Sequence, residues 1–213
     1  MRKVNHIAER KTRMETHVFL VRHGVTEWNQ TKRYQGQQDV PLSELGRQQA
    51  ERVASYLADQ PFAAIYSSDL ERAHETARCI AAKQGISVTC FSEFRERYGG
   101  EWEGRTVEEV LREYPDWETV RLTGGVYGVE PTIAVQERFV RKCEELVRKH
   151  RGERILIVAH GMCITAALGV LTQGEIDFGK TRLDNTAISH LTHHELDGWK
   201  LRSFNQTPHL EAE

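Results

Sequence analysis

Val18-Phe19-Leu20-Val21-Arg22-His23-Gly24 is an apolar run closed by a guanidinium, an imidazole and a glycine. Continuous rather than alternating apolar character over this length predicts a strand covered on both faces, as in a parallel sheet between helix layers. The polar residues begin where the strand should end, and in open α/β sheets ligands bind at that carboxyl edge. The pattern returns late in the chain as Ile155-Leu156-Ile157-Val158-Ala159-His160-Gly161. Two such strands in one sheet present two imidazoles, His23 and His160, at a single edge.

A chain of 213 residues, 39% apolar and 28% charged, is long enough for one domain with a sizeable core. Its formal net charge of −2 gives no general attraction for nucleic acid or an acidic membrane surface, so neither is expected as a partner. No apolar run approaches the roughly 18 residues needed to span a bilayer. The four cysteines, Cys79, Cys90, Cys143 and Cys163, lack C-x-x-C spacing and follow no signal-like segment, which fits reduced thiols in a cytoplasmic protein.

Residues 1–13 are basic and aperiodic and read as a disordered tail; translation from Met1 or from Met14 fits equally. Residues 14–207 read as one domain and 208–213 as a second tail. Residues 25–42, polar and punctuated by Gly and Pro, form a loop that leaves the His23 edge and can reach back over it. Ser43 is placed to cap a helix that buries Ala50, Val53, Ala54 and Leu57. Phe62 to Tyr66 reads as a short strand. Ser68 and Glu71 have capping-box spacing for a helix burying Leu70, Ala73, Ala77 and Ile80. Arg72 falls in its first turn, off the buried stripe, where a cation is unfavourable for the helix. That choice points to function, with a solvated surface arginine as the alternative.

Ile86 to Phe91 reads as a further strand, followed by a loop over 93–104 rich in glycine, acids and aromatics. A carboxylate there suits a proton donor, and composition does not choose among Glu93, Glu96, Glu101 and Glu103. Thr106 and Glu109 repeat the capping-box spacing. Residues 115–131 show no periodicity and read as an insertion or lid. Ile133 to His150 is amphipathic, with Val135, Phe139, Cys143, Leu146 and Val147 on its apolar face, and Met162 to Leu171 reads as a buried helix. A hairpin turning at Asp197-Gly198 ends the domain, and its edge leaves a homodimer open. His190, His193 and His194 lie close together in it, but alternation splits them between faces and no metal-ligand spacing occurs, so no metal site is expected.

An edge with His23, His160, Arg22, Arg72 and an acid suits a dianionic phosphoryl group. Arginine forks match phosphate oxygens, and a neutral imidazole can attack phosphorus. Positive surroundings keep that imidazole neutral and stabilise the equatorial oxygens of the transition state. A protonated glutamic acid supplies the proton for the leaving oxygen. This chemistry needs neither a metal nor a cofactor.

Arg22-His23-Gly24 with Thr26, Glu27, Trp28 and Asn29, then Gln35-Gly36, Asp39, Pro41-Leu42 and Gly46, resembles the signature of the histidine phosphatase superfamily, the phosphoglycerate mutase-like fold. Ser67-Ser68-Asp69-Leu70 with Arg72-Ala73 and Thr76-Ala77, Arg95-Glu96 with Gly100, Trp102, Glu103 and Gly104, Ala159-His160-Gly161 and Asn185-Thr186 match its later blocks in order. The resemblance runs from about Val18 to Asn205. It implies a three-layer α/β/α sandwich with a mainly parallel central sheet and a phosphohistidine reaction. By position, His23 is the implied nucleophile, Arg22, Arg72 and His160 hold the phosphoryl group, and Glu96 is the proton donor. Asn29, Gln35, Gly36 and Gly161 fall where the family contacts phosphate or substrate.

The Gly100-Glu101-Trp102-Glu103-Gly104 form is similar to the phosphatase branch, so the implied activity is metal-independent hydrolysis of small phosphorylated metabolites. Bisphosphoglycerate-dependent mutases carry a lysine and an arginine pair after this block; here the region offers Arg105, Arg112 and Arg121, then Gly124-Gly125. A mutase is therefore the second expectation, and a non-catalytic phospho-ligand module the third. The chain carries Val129-Glu130 where phosphatase relatives often have Gly-Glu, a change that bears on the lid and on substrate choice.

Overall fold

The computed structural model describes residues 15–211. The expected basic tail over 1–13, Met14 and the last two residues lie outside them. In chain order the described elements are β1 (Thr16–Arg22), α1 (Glu27–Gln30), α2 (Glu44–Leu57), β2 (Ala64–Ser67), α3 (Glu71–Gln84) and β3 (Val88–Cys90). Then follow α4 (Val107–Glu113), α5 (Trp117–Thr123), α6 (Thr132–Lys149), β4 (Arg154–Ala159), α7 (Gly161–Leu171), β5 (Ile188–His194), β6 (Gly198–Gln206) and α8 (Pro208–Glu211).

Six strands form one sheet in the order β3-β2-β4-β1-β5-β6. β1, β2, β3 and β4 run parallel, while β5 and β6 add an antiparallel hairpin beside β1. The sheet is thus mixed and mainly parallel, as the apolar runs imply. Strand alternation divides the core. Val18, Leu20, Ile155 and Ile157 pack with α6 and α7, whereas Phe19, Val21, Leu156 and Val158 pack with α2 and α3. β1 pairs with β4 from His17↔Arg154 to Arg22↔Ala159, so the two His-Gly ends leave the sheet side by side.

Three local signals hold as read. Ser43 Oγ accepts from Gly46 N, Thr106 and Glu109 form the reciprocal box of α4, and the apolar stripe of α6 is buried. Others need correction. α3 begins two residues later than the Ser68 box requires: its N-cap is Leu70, and Ser68 Oγ accepts from Leu70 N instead. The helix end is satisfied from a distance, by Asp39 Oδ1 accepting from Glu71 N at 2.7 Å. The loop over 25–42 contains α1, with a Thr26/Asn29 capping box. The aperiodic stretch 115–131 contains α5, and Val120 and Val129 join Trp102, Val110 and Tyr114 in a small core of their own. Residues 208–211, read as tail, form α8, with His209 buried. In the hairpin, His190 stacks on Phe19 at 4.3 Å while His193 meets Trp199 at 4.9 Å.

Candidate active site

His23 emerges where β1 ends, its N–H donating to Ala159 O of β4 at 3.0 Å. Its carbonyl is held from the other side by Asn185 Nδ2 at 3.0 Å. Thr186, buried and at φ +58°, donates its N–H to Arg22 O at 3.0 Å. A β-branched residue in the left-handed region is strained, and it is held there by the bonds of its N–H to Arg22 O and of its Oγ1 to Asn185 O and His209 Nε2. Ring nitrogen Nδ1 lies 2.7 Å from Gly24 O. A carbonyl can only accept, so Nδ1 carries the proton and Nε2 carries the lone pair. Burial, followed by the charges of Arg72 and Arg22, holds His23 well below the ordinary imidazole value, against the Gly24 bond that raises it.

His160 caps α7 without a side-chain capping bond, and its ring lies 5.1 Å from that of His23. It is fully buried, packed beside His23 rather than on the cavity wall, and neither ring nitrogen has a hydrogen-bond partner in the protein. Burial and then Arg72 hold it, too, well below the ordinary value. Arg72 is not the solvated surface residue weighed above: it is 0% exposed. Its terminal nitrogens donate to Gln38 O and Gly36 O, both at 2.8 Å, and burial lowers it to about 10, still a cation at neutral pH. Arg22 donates to Leu183 O. The Nε atoms of Arg22 and Arg72 are buried without partners. Unsatisfied buried polar groups cost about 1–3 kcal/mol each. Such a set beside one cavity is what an anion with several acceptor oxygens would satisfy.

Glu96 faces them from the loop before α4. Its Oε1 accepts from Arg97 N and Cys163 N at 2.9 Å each, and Oε2 accepts from Met162 N at 3.0 Å, at the first turn of α7. The other candidate acids are engaged elsewhere. Glu93 pairs with Lys142 at 3.4 Å, Glu101 accepts from Tyr114 Oη, and Glu103 accepts from Gln37 N and Gly99 N.

The cavity, about 140 Å³, is walled by Arg22, His23, Asn29, Gln35, Gly36, Arg72 and Glu96 among others. Asn29 Oδ1 accepts from Thr26 N, and Gln35 Oε1 accepts from Thr26 Oγ1. Each thereby keeps an amide NH2 for the cavity, the half that binds an anion. Gly161 lies on an adjoining outer groove instead, beside Arg22. Tyr34, Arg97, Trp102 and Val129 also line the cavity, none of them singled out from sequence as a site residue. Arg138 escaped notice as well: it donates to the carbonyls of Glu93, Arg95 and Glu96 and pairs with Glu130 at 2.9 Å. An arginine three residues after Val135 and one before Phe139 borders the buried stripe of α6, which was the available signal.

Residues 18–207 match the family described as the histidine phosphatase superfamily, branch 1. The chain is 32% identical over 198 residues to the uncharacterized phosphatase PhoE of Bacillus subtilis, covering 92% of this chain and 98% of that one. It is 33% identical over 204 residues to phosphoglycerate mutase-like protein 4 of Arabidopsis thaliana, covering 91% and 86%. Among solved structures, the vanadate complex of a mycobacterial glucosyl-3-phosphoglycerate phosphatase superposes with a TM-score of 0.82 at 29% identity, covering 90% of this chain and 99% of that one.

Proposed function

Because this chain belongs to the histidine phosphatase superfamily, branch 1, we propose that it hydrolyses small phosphomonoesters through a phosphohistidine on His23, without a metal. The observation that carries the proposal is the Nδ1–H bond of His23 to Gly24 O, which leaves Nε2 unprotonated beside Arg22 and Arg72. Nε2 forms a bond to phosphorus as the bond to the leaving oxygen breaks, and Glu96 gives that oxygen its proton. Water then attacks phosphorus, Glu96 takes back a proton, and His23 is released with inorganic phosphate. The two guanidiniums bear on the equatorial oxygens throughout, supplying the positive charge that a metal supplies elsewhere.

The test is phosphate release from p-nitrophenyl phosphate and a panel of alkyl phosphates in EDTA, beside 3-phosphoglycerate conversion with and without bisphosphoglycerate. Hydrolysis is expected in EDTA without primer, and His23→Ala should lower kcat/KM by about three orders of magnitude. Loss of activity in EDTA, or a fully active His23→Ala, overturns the reading, and primer-dependent conversion assigns a mutase instead. Against the mutase stand Arg105 and Arg112, which both pair with Glu113 away from the cavity walls.

A further inference from the structure

The main-chain group that orients His23 is itself held by a side chain. Gly24 O, the acceptor for His23 Nδ1–H, and Val25 N belong to one peptide unit, and Val25 N donates to Gln49 Oε1 at 3.0 Å. A continuous path of hydrogen bonds therefore runs from Gln49, across this peptide, to the imidazole. A peptide that donates at its nitrogen while accepting at its oxygen is polarised, and each bond strengthens the other. The glutamine amide has only one half that can face an N–H, so its carbonyl oxygen points at Val25.

Gln49 reaches the peptide because α2 docks on it main chain to main chain. A Cβ on Gly24 would lie 2.4 Å from Gly46 O, and one on Gly46 would lie 2.0 Å from Val25 O, so the approach needs glycine at both positions. Gln49, three residues after Gly46, stands one turn further along the same face of α2. Ser43, the N-cap of α2, donates to Val25 O through its N–H at 2.9 Å and its hydroxyl at 3.0 Å. Thr76 of α3 accepts from Gly24 N at 3.2 Å and donates to Arg72 O at 2.8 Å. These bonds place the loop, but only the one from Val25 N to Gln49 acts on the peptide whose oxygen meets the ring. Without a held acceptor, nothing keeps the proton on Nδ1 rather than on Nε2.

We propose that Gln49 is a positioning residue for the nucleophile: through the Gly24–Val25 peptide it keeps the proton of His23 on Nδ1 and leaves the lone pair on Nε2. Its consequence for rate rests on the phosphatase reading of the site, whereas its effect on the tautomer does not. The other groups around the ring are the charges of Arg22 and Arg72, the His160 ring at 5.1 Å and Glu96 on the same cavity, and all of them are retained in Gln49 variants.

Imidazole nitrogen NMR of the ligand-free protein near neutral pH reads the tautomer, with His23→Gln assigning the signal. Gln49→Met removes the acceptor at similar length, and Gln49→Glu keeps one. Gln49→Met is expected to turn a single Nδ1–H tautomer into a mixture. It should also slow first-turnover release of p-nitrophenol from p-nitrophenyl phosphate by about ten-fold, the size of one ordinary hydrogen bond. Gln49→Glu should restore both, and its carboxylate should move the acid limb of kcat/KM to higher pH than in the parent, because an anion favours the charged imidazole. A single Nδ1–H tautomer in Gln49→Met overturns the inference. Equal loss of rate in Gln49→Met and Gln49→Glu overturns it as well, by reducing Gln49 to a packing role. Failure of the parent to release p-nitrophenol would overturn the phosphatase reading instead, and the NMR comparison would still decide the role of Gln49.

Discussion

Three main-chain amides converge on the carboxylate of Glu96, and Arg138 fixes the peptides that carry it by donating to the carbonyls of Glu93, Arg95 and Glu96. Arg138 is not itself a cavity wall but bonds to the main chain of one, Glu96, which makes it a candidate positioning residue. On the proposed role Glu96→Gln removes the transferable proton, and it also turns an amide NH2 toward one of the main-chain N–H donors that now meet a carboxylate oxygen. It should cost about 10² to 10⁴ in kcat/KM on alkyl phosphates, whose alkoxide needs the proton, and far less on p-nitrophenyl phosphate, whose phenolate leaves without it. Arg138→Met should show the same pattern at smaller size, read as a fall in the alkyl-to-aryl rate ratio. An equal loss on both ester types would reduce Arg138 to a purely structural prop. Residue types alone left four acids open because every one of them stands in the same glycine-rich loop. Only the family resemblance chose Glu96; the structure adds that Glu96 lines the cavity while Glu93, Glu101 and Glu103 do not, being bonded to Lys142, Tyr114 and the main chain of Gln37 and Gly99.

Elements whose burial is set by their own periodicity were legible: β1 and β4 from continuous apolar runs, α2 and α6 from helical stripes, α4 from its capping box. Elements fixed by distant partners were not. The start of α3 is satisfied by Asp39, which no local pattern could reveal, and α5 lacks a long stripe because it packs on a few aromatic side chains rather than on the sheet. The loop that supplies Asp39 offers a test. Gly36 stands at φ +51°, and its carbonyl accepts from Arg72 at 2.8 Å. A Cβ there would lie 1.9 Å from Glu103 Oε1, the atom that ties Gln37 N to Gly99 N. Gly36→Ala should therefore push Glu103 aside, loosen the loop and release one of the acceptors that aim Arg72. We expect a stability loss of about 1–2 kcal/mol from the left-handed backbone alone. Inhibition by inorganic phosphate should weaken and KM should rise more than kcat falls. An unchanged phosphate inhibition constant would show that Arg72 does not depend on this loop.

Across the whole molecule, several histidines are held neutral by burial at places far apart in the sequence. His23 and His160 sit at the sheet edge, His190 is lowered to about 4 against His17 and Phe19, and His209 is lowered to about 4 where α8 meets Thr186. An unfolded histidine titrates near about 6.5. Between each folded value and that one, the unfolded chain binds more protons than the native one, so stability rises with pH through the window. Stability should be full above about pH 6.5 and should fall on acidification toward pH 4, with the melting temperature tracking it. Inorganic phosphate should offset part of the loss by binding the native state alone. His209 separates this cause from the carboxylates that also protonate in acid. Its Nε2 meets Thr186 Oγ1 at 2.9 Å, a bond that glutamine can replace, and the other groups facing it are the Tyr56 ring and the charge of Arg52. His209→Gln removes the titration and keeps the contact, so the melting temperature should decline less steeply between pH 6.5 and 4 than in the parent, whatever its value at pH 7. Parallel curves for the two proteins would mean that His209 contributes nothing to the acid response.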